Sequence, residues 1–279
     1  MIPTHEFSER IRKDIQVTEL GALMTYDSSE PHRHQYFELF VFIKGGGVHV
    51  IDFEEFPIHD HSIHIVAPGR VHQVRRALDS HGFVLLFDMD VLGTHHLIAE
   101  FLLNHTCYTL QEHSPVYVFE GEEQVLLTEI ANRIRNDYQS ANAHRNEFIL
   151  HNLALLCIQC LRKEDGLHPA PLTAQGMLYF QFRRLLNSRF RELKKVKEYA
   201  ALLHVSEKQL NESVKLQTGS SASIVIYKQV ILEARRLLNL GLSAKEVAYE
   251  LAFDDPAHFS KFFKSQTQLS PSDFQKIHV

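Results

Sequence analysis

From Val196 onward this chain contains one helical pattern twice, and no other feature restricts its fold as much. The first copy runs from Val196 to Gly219 and the second from Val247 to Gln268. Ala200 and Leu203 precede Ala248 and Leu251 by 48 residues, and Val205 precedes Phe253 by the same interval. After a one-residue slip, Leu210 and Val214 precede Phe259 and Phe263 by 49. Both copies close on related strings, Lys215-Leu216-Gln217-Thr218 and Lys264-Ser265-Gln266-Thr267. A repeat of this length is one structural unit used twice.

Each copy reads as two short helices joined by a tight turn. Ala200 and Ala248 are small residues at mid-helix, where another helix can cross closely. Ser206 is suited to cap the second helix, and Gln209 three residues later completes a capping box. In the second copy Asp255 takes the cap and Pro256 the first helical position, where a missing N–H costs nothing. Ser243 and Glu246 form a further capping box. Gly219 can end its helix in the left-handed conformation. Val205 and Phe253 are apolar residues inside the turns.

A helix-turn-helix presents its second helix to the DNA major groove. The outward positions are Lys208, Asn211, Glu212 and Lys215 in the first copy, with Ser206 at its start. In the second they are Ala257, His258, Lys261 and Lys264. Any amphipathic helix has a solvated polar face, but two tandem copies with matched caps favour DNA readout over that simpler explanation.

The second copy and its exit carry a resemblance to the AraC/XylS family of bacterial transcription regulators. The matching run is Glu246-Val247-Ala248-Tyr249-Glu250-Leu251-Ala252-Phe253-Asp254-Asp255-Pro256-Ala257-His258-Phe259-Ser260-Lys261-Phe262-Phe263-Lys264, followed by Leu269-Ser270-Pro271. The resemblance spans residues 177–274 and implies two modules joined by a long helix, here Ser223 to Leu240. It also implies double-stranded promoter DNA and RNA polymerase as partners, with activation and repression both open. Two departures stand out, because the family usually has glycine where this chain has Ala252 and Gln268. A positive φ at Gln268 would cost on the order of 1 kcal/mol.

Charge divides along the same line. From Pro171 onward there are 16 Lys and Arg against 10 Asp and Glu, a net of +6, so residues 1–170 carry −11 of the chain's −5 total. Nucleic-acid binding needs a local basic surface rather than a basic protein. Lys194, Lys195, Lys197, Lys228, Arg235 and Arg236 are candidates for phosphate contacts.

The first half has another rhythm. Leu39-Phe40-Val41-Phe42-Ile43, Val48-His49-Val50-Ile51, Ser62-Ile63-His64-Ile65-Val66 and Phe83-Val84-Leu85-Leu86-Phe87 are short β-branched and aromatic runs between glycine and proline. They predict an all-β barrel or jelly roll, with Lys44-Gly45-Gly46-Gly47 turning one strand into the next. Helices are predicted over 122–139 and 145–163. The chain is thus expected to be α+β with two domains. Residues 1–121 form a cupin-like effector-binding barrel, 122–163 a helical dimerisation region, 164–173 a linker, and 174–279 an all-α DNA-binding domain of two helix-turn-helix motifs.

Sixteen of nineteen histidines lie in the first half. His32, His34 and Glu38 are an even number of residues apart, so on one strand they would share a face, and His72 follows Pro68-Gly69-Arg70-Val71. This arrangement looks like a cupin barrel, whose first motif has HxH, a glutamate four residues on and a glycine seven further, here Gly45. The second motif matches only approximately, because the family places one residue between the proline and its glycine. In metal-binding cupins the matching residues, here His32, His34, Glu38 and His72, hold one divalent transition metal. Arabinose-type regulators instead commonly carry a metal-free sensor cupin, in which these residues would line a small-molecule pocket. Purely structural histidines are the third reading. His59, His61 and His64 lie near a turn and are expected to face solvent.

Cys157 and Cys160 form a CxxC inside the strongly apolar run 148–161, which reads as core rather than redox or zinc chemistry. Three cysteines suggest no disulfide framework, no apolar run is long enough to span a membrane, and Met1-Ile2-Pro3-Thr4-His5-Glu6 lacks the pattern of a secretion signal. A cytoplasmic location is therefore expected. Three function classes compete: a ligand-responsive transcription factor, a metal-dependent cupin enzyme fused to a helical domain, and an architectural DNA-binding protein. Tandem recognition helices are superfluous in an enzyme, and an architectural protein does not account for a histidine-lined barrel. The sequence therefore favours a non-enzymatic regulator that responds to a small-molecule effector. The family resemblance implies a homodimer joined through 122–163, the alternative being that these helices pack only within one chain.

Overall fold

The computed structural model describes residues 4–5, 14–20, 30–92, 95, 98–99, 101–102, 114–140, 142–163 and 174–278. The expected linker 164–173 lies outside them. The chain divides into two compact units, Ile2–His168 and Pro169–Val279.

The first unit is built on β1 (Thr4–His5), β2 (Gln16–Glu19), β3 (His32–His34), β4 (Phe37–Lys44), β5 (Gly47–Ile51), β6 (Glu54–Pro57), β7 (Ser62–Val66), β8 (Val71–Arg76), β9 (His81–Phe87) and β10 (Val116–Val118). They form two five-stranded sheets, ordered β1-β3-β8-β5-β6 and β10-β7-β4-β9-β2. All described pairings are antiparallel except β1 with β3. Phe40, Phe42, Val66, Val84 and Leu86 from the second sheet pack with Ile51 and Val74 from the first. The glycine run after Lys44 does turn one strand into the next, but β4 and β5 belong to different sheets. The turn is a corner of the sandwich. Only glycine suits it: Gly46 and Gly47 have φ of +105° and +97°, and a Cβ on Gly47 would lie 2.1 Å from the Arg75 carbonyl oxygen.

From Phe37 to Phe42 every residue of β4 is buried, which requires cover on both faces of its sheet. Helices α1 (Glu122–Ser140) and α2 (Arg145–Lys163) pack on each other beside it. Arg135 of α1 pairs with Glu19 of β2 at 2.8 Å, and Tyr138 Oη donates to Gln16 Oε1 at 3.0 Å. Leu127, Ile130, Ile134, Leu153 and Leu156 are buried, whereas Val125, Leu126, Phe148 and Leu155 are exposed. Cys157 and Cys160 are both buried in α2, and burial pushes the Cys157 thiol far above its ordinary range, so it stays protonated.

The second unit is all-helical: α3 (Ala174–Arg189), α4 (Val196–Leu202), α5 (Glu207–Thr218), α6 (Ala222–Asn239), α7 (Ala244–Glu250), α8 (Pro256–Thr267) and α9 (Pro271–His278). The repeat forms two helix-turn-helix modules, α4–α5 and α7–α8. Their shared core unites Tyr199, Leu210 and Val214 of one with Val247, Phe259 and Phe263 of the other. Ile226, Val230, Ala234 and Leu238 of α6 complete it, so the long helix is the spine. Ala200 and Ala248 are buried, as close helix crossing requires. Ser206 accepts from the Gln209 N–H, Ser243 from Glu246, and Asp255 from Ala257 with Pro256 at the first turn. Lys194 joins the two modules by donating to the Ala252 carbonyl at 3.2 Å, with its ammonium 4.9 Å from the Phe253 ring centre. Among the described residues no helix is long and apolar enough to cross a membrane.

Candidate nucleic-acid interface and buried histidine site

The second helices of the two modules, α5 and α8, carry the polar faces expected of readers. Ser206, Lys208, Glu212 and Lys215 are exposed on α5 and its cap, and Ala257, His258, Lys261 and Lys264 on α8. Lys208 and Glu212 approach only to 3.9 Å, at 84% and 56% exposure. Such a pair is worth under about 1 kcal/mol, so either side chain can exchange it for another partner.

Asn211 differs from the expectation. Its amide Nδ2 donates to the Glu207 carbonyl and its Oδ1 accepts from the Ala222 N–H, both at 3.0 Å. The first N–H groups of a helix have no partner within it, and Asn211 supplies one to α6. Of the phosphate candidates, Lys195, Lys197 and Lys228 are exposed. Arg236 is buried, 3.4 Å from Glu233, so it is a core ion pair rather than a surface charge. Arg235 lies over the Phe274 ring, and Lys194 is committed to the contacts described above.

In the sandwich, His32 and His34 project from β3, His72 from β8 and Glu38 from β4, and all four are buried. They do not share one strand face. Residues 35 and 36 separate β3 from β4, and the two strands lie in different sheets, so Glu38 meets the histidines across the interior. His34 Nε2 is 3.1 Å from His72 Nε2 and 3.4 Å from Glu38 Oε2, and His72 Nε2 is 3.5 Å from the same oxygen. Donor atoms about 2.1 Å from one tetrahedral ion lie about 3.4 Å from each other. These three therefore fit a single divalent cation. His32 lies beside them, its ring centre 4.2 Å from that of His72, with Nδ1 bonded to the Glu30 carbonyl. Backbone contacts hold the set in place. His34 Nδ1 donates to the Tyr36 carbonyl at 2.7 Å, and Gly69 N–H donates to the His34 carbonyl. The buried Arg70–Asp52 pair, at 2.7 Å, anchors the entry to β8, where Asp52 also accepts from the Val71 N–H.

Sequence reasoning missed two further members. His49 of β5 and His64 of β7 are both fully buried, so the expectation that His64 faces solvent is overturned. His59 is exposed and His61 half-buried. Burial and the neighbouring imidazoles hold His49 well below the ordinary histidine range, and burial lowers His64 to about 3. No sequence signal marked them. His49 lies between Val48 and Val50, and His64 between Ile63 and Ile65, so alternation reads each histidine as outward, whereas every residue of β7 is buried.

Residues 199–277 match the model of a family described as a helix-turn-helix domain. Among curated proteins the chain is similar to an uncharacterized HTH-type transcriptional regulator, YfiF of Bacillus subtilis strain 168. The two are 20% identical over 264 residues, covering 92% of this chain and 82% of that protein. Among solved structures it is similar to ToxT from Vibrio cholerae, with 15% identity, 96% and 100% of the two chains covered and a TM-score of 0.39. It is also similar to the C-terminal domain of AraT, a response regulator from Geobacillus stearothermophilus, with 23% identity, 39% and 88% covered and a TM-score of 0.35.

Proposed function

We propose that this chain, a DNA-binding transcriptional regulator with an AraC-type helix-turn-helix domain, reads promoter DNA through both modules at once and is controlled from its β-sandwich. The observation that carries the reading is the duplicated module itself. Two capped recognition helices are built on one shared core, so α5 and α8 are held in fixed register and can serve one DNA duplex. Lys208, Glu212 and Lys215 on α5, and Ala257, His258, Lys261 and Lys264 on α8, are the reading faces. Lysine can bond guanine, glutamate can accept from cytosine, and lysines not used on bases neutralise phosphates.

The controlling site is the buried set in the sandwich. Its donor spacing favours a divalent transition metal held by His34, Glu38 and His72, with His32 beside them. Two neutral imidazoles and a carboxyl suit zinc, iron, nickel or manganese. Such an ion supplies a Lewis-acidic position at which a small-molecule effector with a donor atom can bind. The sandwich residues orient the donors and exclude water. The exposed apolar residues of α1 and α2 support self-association of the regulator, which would bring four modules to one operator.

Selection of bound sequences from random duplex DNA by the full-length protein, followed by footprinting, tests the reading. The expected product has two protected segments about 10 base pairs apart, with affinity that changes when Zn²⁺ is added. Binding without sequence preference would overturn it.

A further inference from the structure

Four buried imidazoles form one hydrogen-bonded line running from the triad into the facing sheet. His34 Nε2 meets His72 Nε2 at 3.1 Å, His72 Nδ1 meets His49 Nε2 at 3.2 Å, and His49 Nδ1 meets His64 Nδ1 at 3.2 Å. Two ring nitrogens can bond only if one carries a proton and the other offers a lone pair. One end of the line therefore decides the rest. The Tyr36 carbonyl can only accept, so His34 carries its proton on Nδ1 and presents a bare Nε2. With neutral rings, His72 then donates from Nε2 and keeps a bare Nδ1. His49 donates from Nε2 to that nitrogen, and His64 donates from Nδ1 to His49. The line ends at His64 Nε2, a buried nitrogen with no hydrogen-bond partner among the described residues.

A cation at the triad requires the opposite arrangement. It needs lone pairs on both His34 Nε2 and His72 Nε2, so His72 must carry its proton on Nδ1. We propose that His49 and His64 are positioning residues for this metal site, forming a tautomer relay that reverses when the cation binds. One proton leaves His72 Nε2 for solvent. His49 passes its Nε2 proton to His72 Nδ1, and His64 passes its Nδ1 proton to His49 Nδ1. One proton from solvent enters at His64 Nε2. Each ring ends with the single proton it began with, and no ring changes charge. The relay therefore lets His72 become a ligand, the cation replacing the His34–His72 link while the His72–His49 and His49–His64 links stay satisfied. It also registers metal binding on β7, in the sheet opposite β3 and β8.

The inference rests on reading the triad as a metal site, and one experiment separates the two. Full-length protein labelled with ¹⁵N at histidine is examined by long-range ¹H–¹⁵N spectra before and after Zn²⁺, with Zn²⁺ affinity measured by calorimetry. The expected metal-free pattern is Nδ1–H for His34 and His64 and Nε2–H for His49 and His72. With Zn²⁺, His49 and His72 change to Nδ1–H and His64 to Nε2–H. His49→Phe interrupts the line, so it is expected to weaken Zn²⁺ binding by about 10–100-fold and to leave the His64 tautomer indifferent to Zn²⁺. Saturable Zn²⁺ binding with unchanged His49 and His64 tautomers would overturn the relay and leave the metal site standing. A doubly protonated His72 in the metal-free protein would also overturn it. Absence of saturable binding in the unaltered protein would overturn the metal site itself, and the relay with it.

Discussion

His204 and Ala252 occupy the same position in the two helix-turn-helix turns, 48 residues apart, and both adopt left-handed backbone conformations, with φ of +55° and +49°. Each turn thus places a residue with a Cβ where glycine is least strained. Gln268 repeats the situation at the end of α8, at φ +64°, where the first module has Gly219 at +68°. Ala252→Gly and Gln268→Gly are each expected to stabilise the helical unit by about 1 kcal/mol. Calorimetry of the full chain checks this, and a lowered unfolding temperature would show that the turns are unstrained.

Base readout separates residues that point outward from one that does not. His258→Ala and Lys261→Ala are expected to cost about 1–3 kcal/mol at single base positions. Asn211→Ala removes the partner of the Ala222 N–H, so it should lower stability by about 1 kcal/mol and weaken all DNA sequences alike. Binding profiles of each variant against a site library decide the matter. A position-specific loss from Asn211→Ala would mean that the side chain leaves α6 on binding.

The depressed pKa of His64 sets a direction for acid sensitivity. Its folded value, about 3, lies below the ordinary 6.5, so the unfolded chain binds a proton that the folded chain excludes. Its contribution is fully present above about pH 6.5 and declines as pH falls toward 3, by about 1.4 kcal/mol per pH unit. Denaturant unfolding at pH 7 and pH 5.5 should show this slope, and His64→Leu should reduce it by one proton's worth. An unchanged slope in the variant would place the acid sensitivity elsewhere.

Self-association should depend on the exposed apolar face of the helical pair. Phe148 and Leu155 lie two turns apart on α2, at 42% and 41% exposure. If this face joins two subunits, Phe148→Glu and Leu155→Glu will convert a dimer to a monomer in sedimentation at micromolar concentration. A dimer that survives both substitutions, or a monomeric unaltered protein, would remove these helices from the interface.

The helix-turn-helix pair was legible in the sequence because its signals are local. A capping box joins residues three apart, as Ser206 with Gln209 and Ser243 with Glu246, and the repeat displays the core positions twice. Strands β4, β5, β7 and β9 were legible for a similar reason, since runs of β-branched and aromatic residues act over a few positions. His34, Glu38 and His72 were singled out by their likeness to a cupin motif, while the alternation that put His34 and Glu38 on one strand face did not hold. Asn211 was not, because its choice between DNA and the Ala222 N–H depends on where α6 begins in space. Arg236 looked like a surface charge until the partner at Glu233 and the packing of α6 buried both.

What the sequence determined by itself was therefore the duplicated helix-turn-helix with its caps at Ser206, Ser243 and Asp255, the longer strands of the sandwich, and the donors with recognisable spacing. The tertiary structure alone decided which elements face each other. His32 and His34 meet Glu38 across the interior instead of along one strand, and His49 and His64, silent in any motif, complete the line of imidazoles because β5 and β7 come from opposite sheets. Contacts of that kind are set by strand register and by which face each sheet turns inward, and a one-residue slip in β5 or β7 would send either ring to the other face of its sheet.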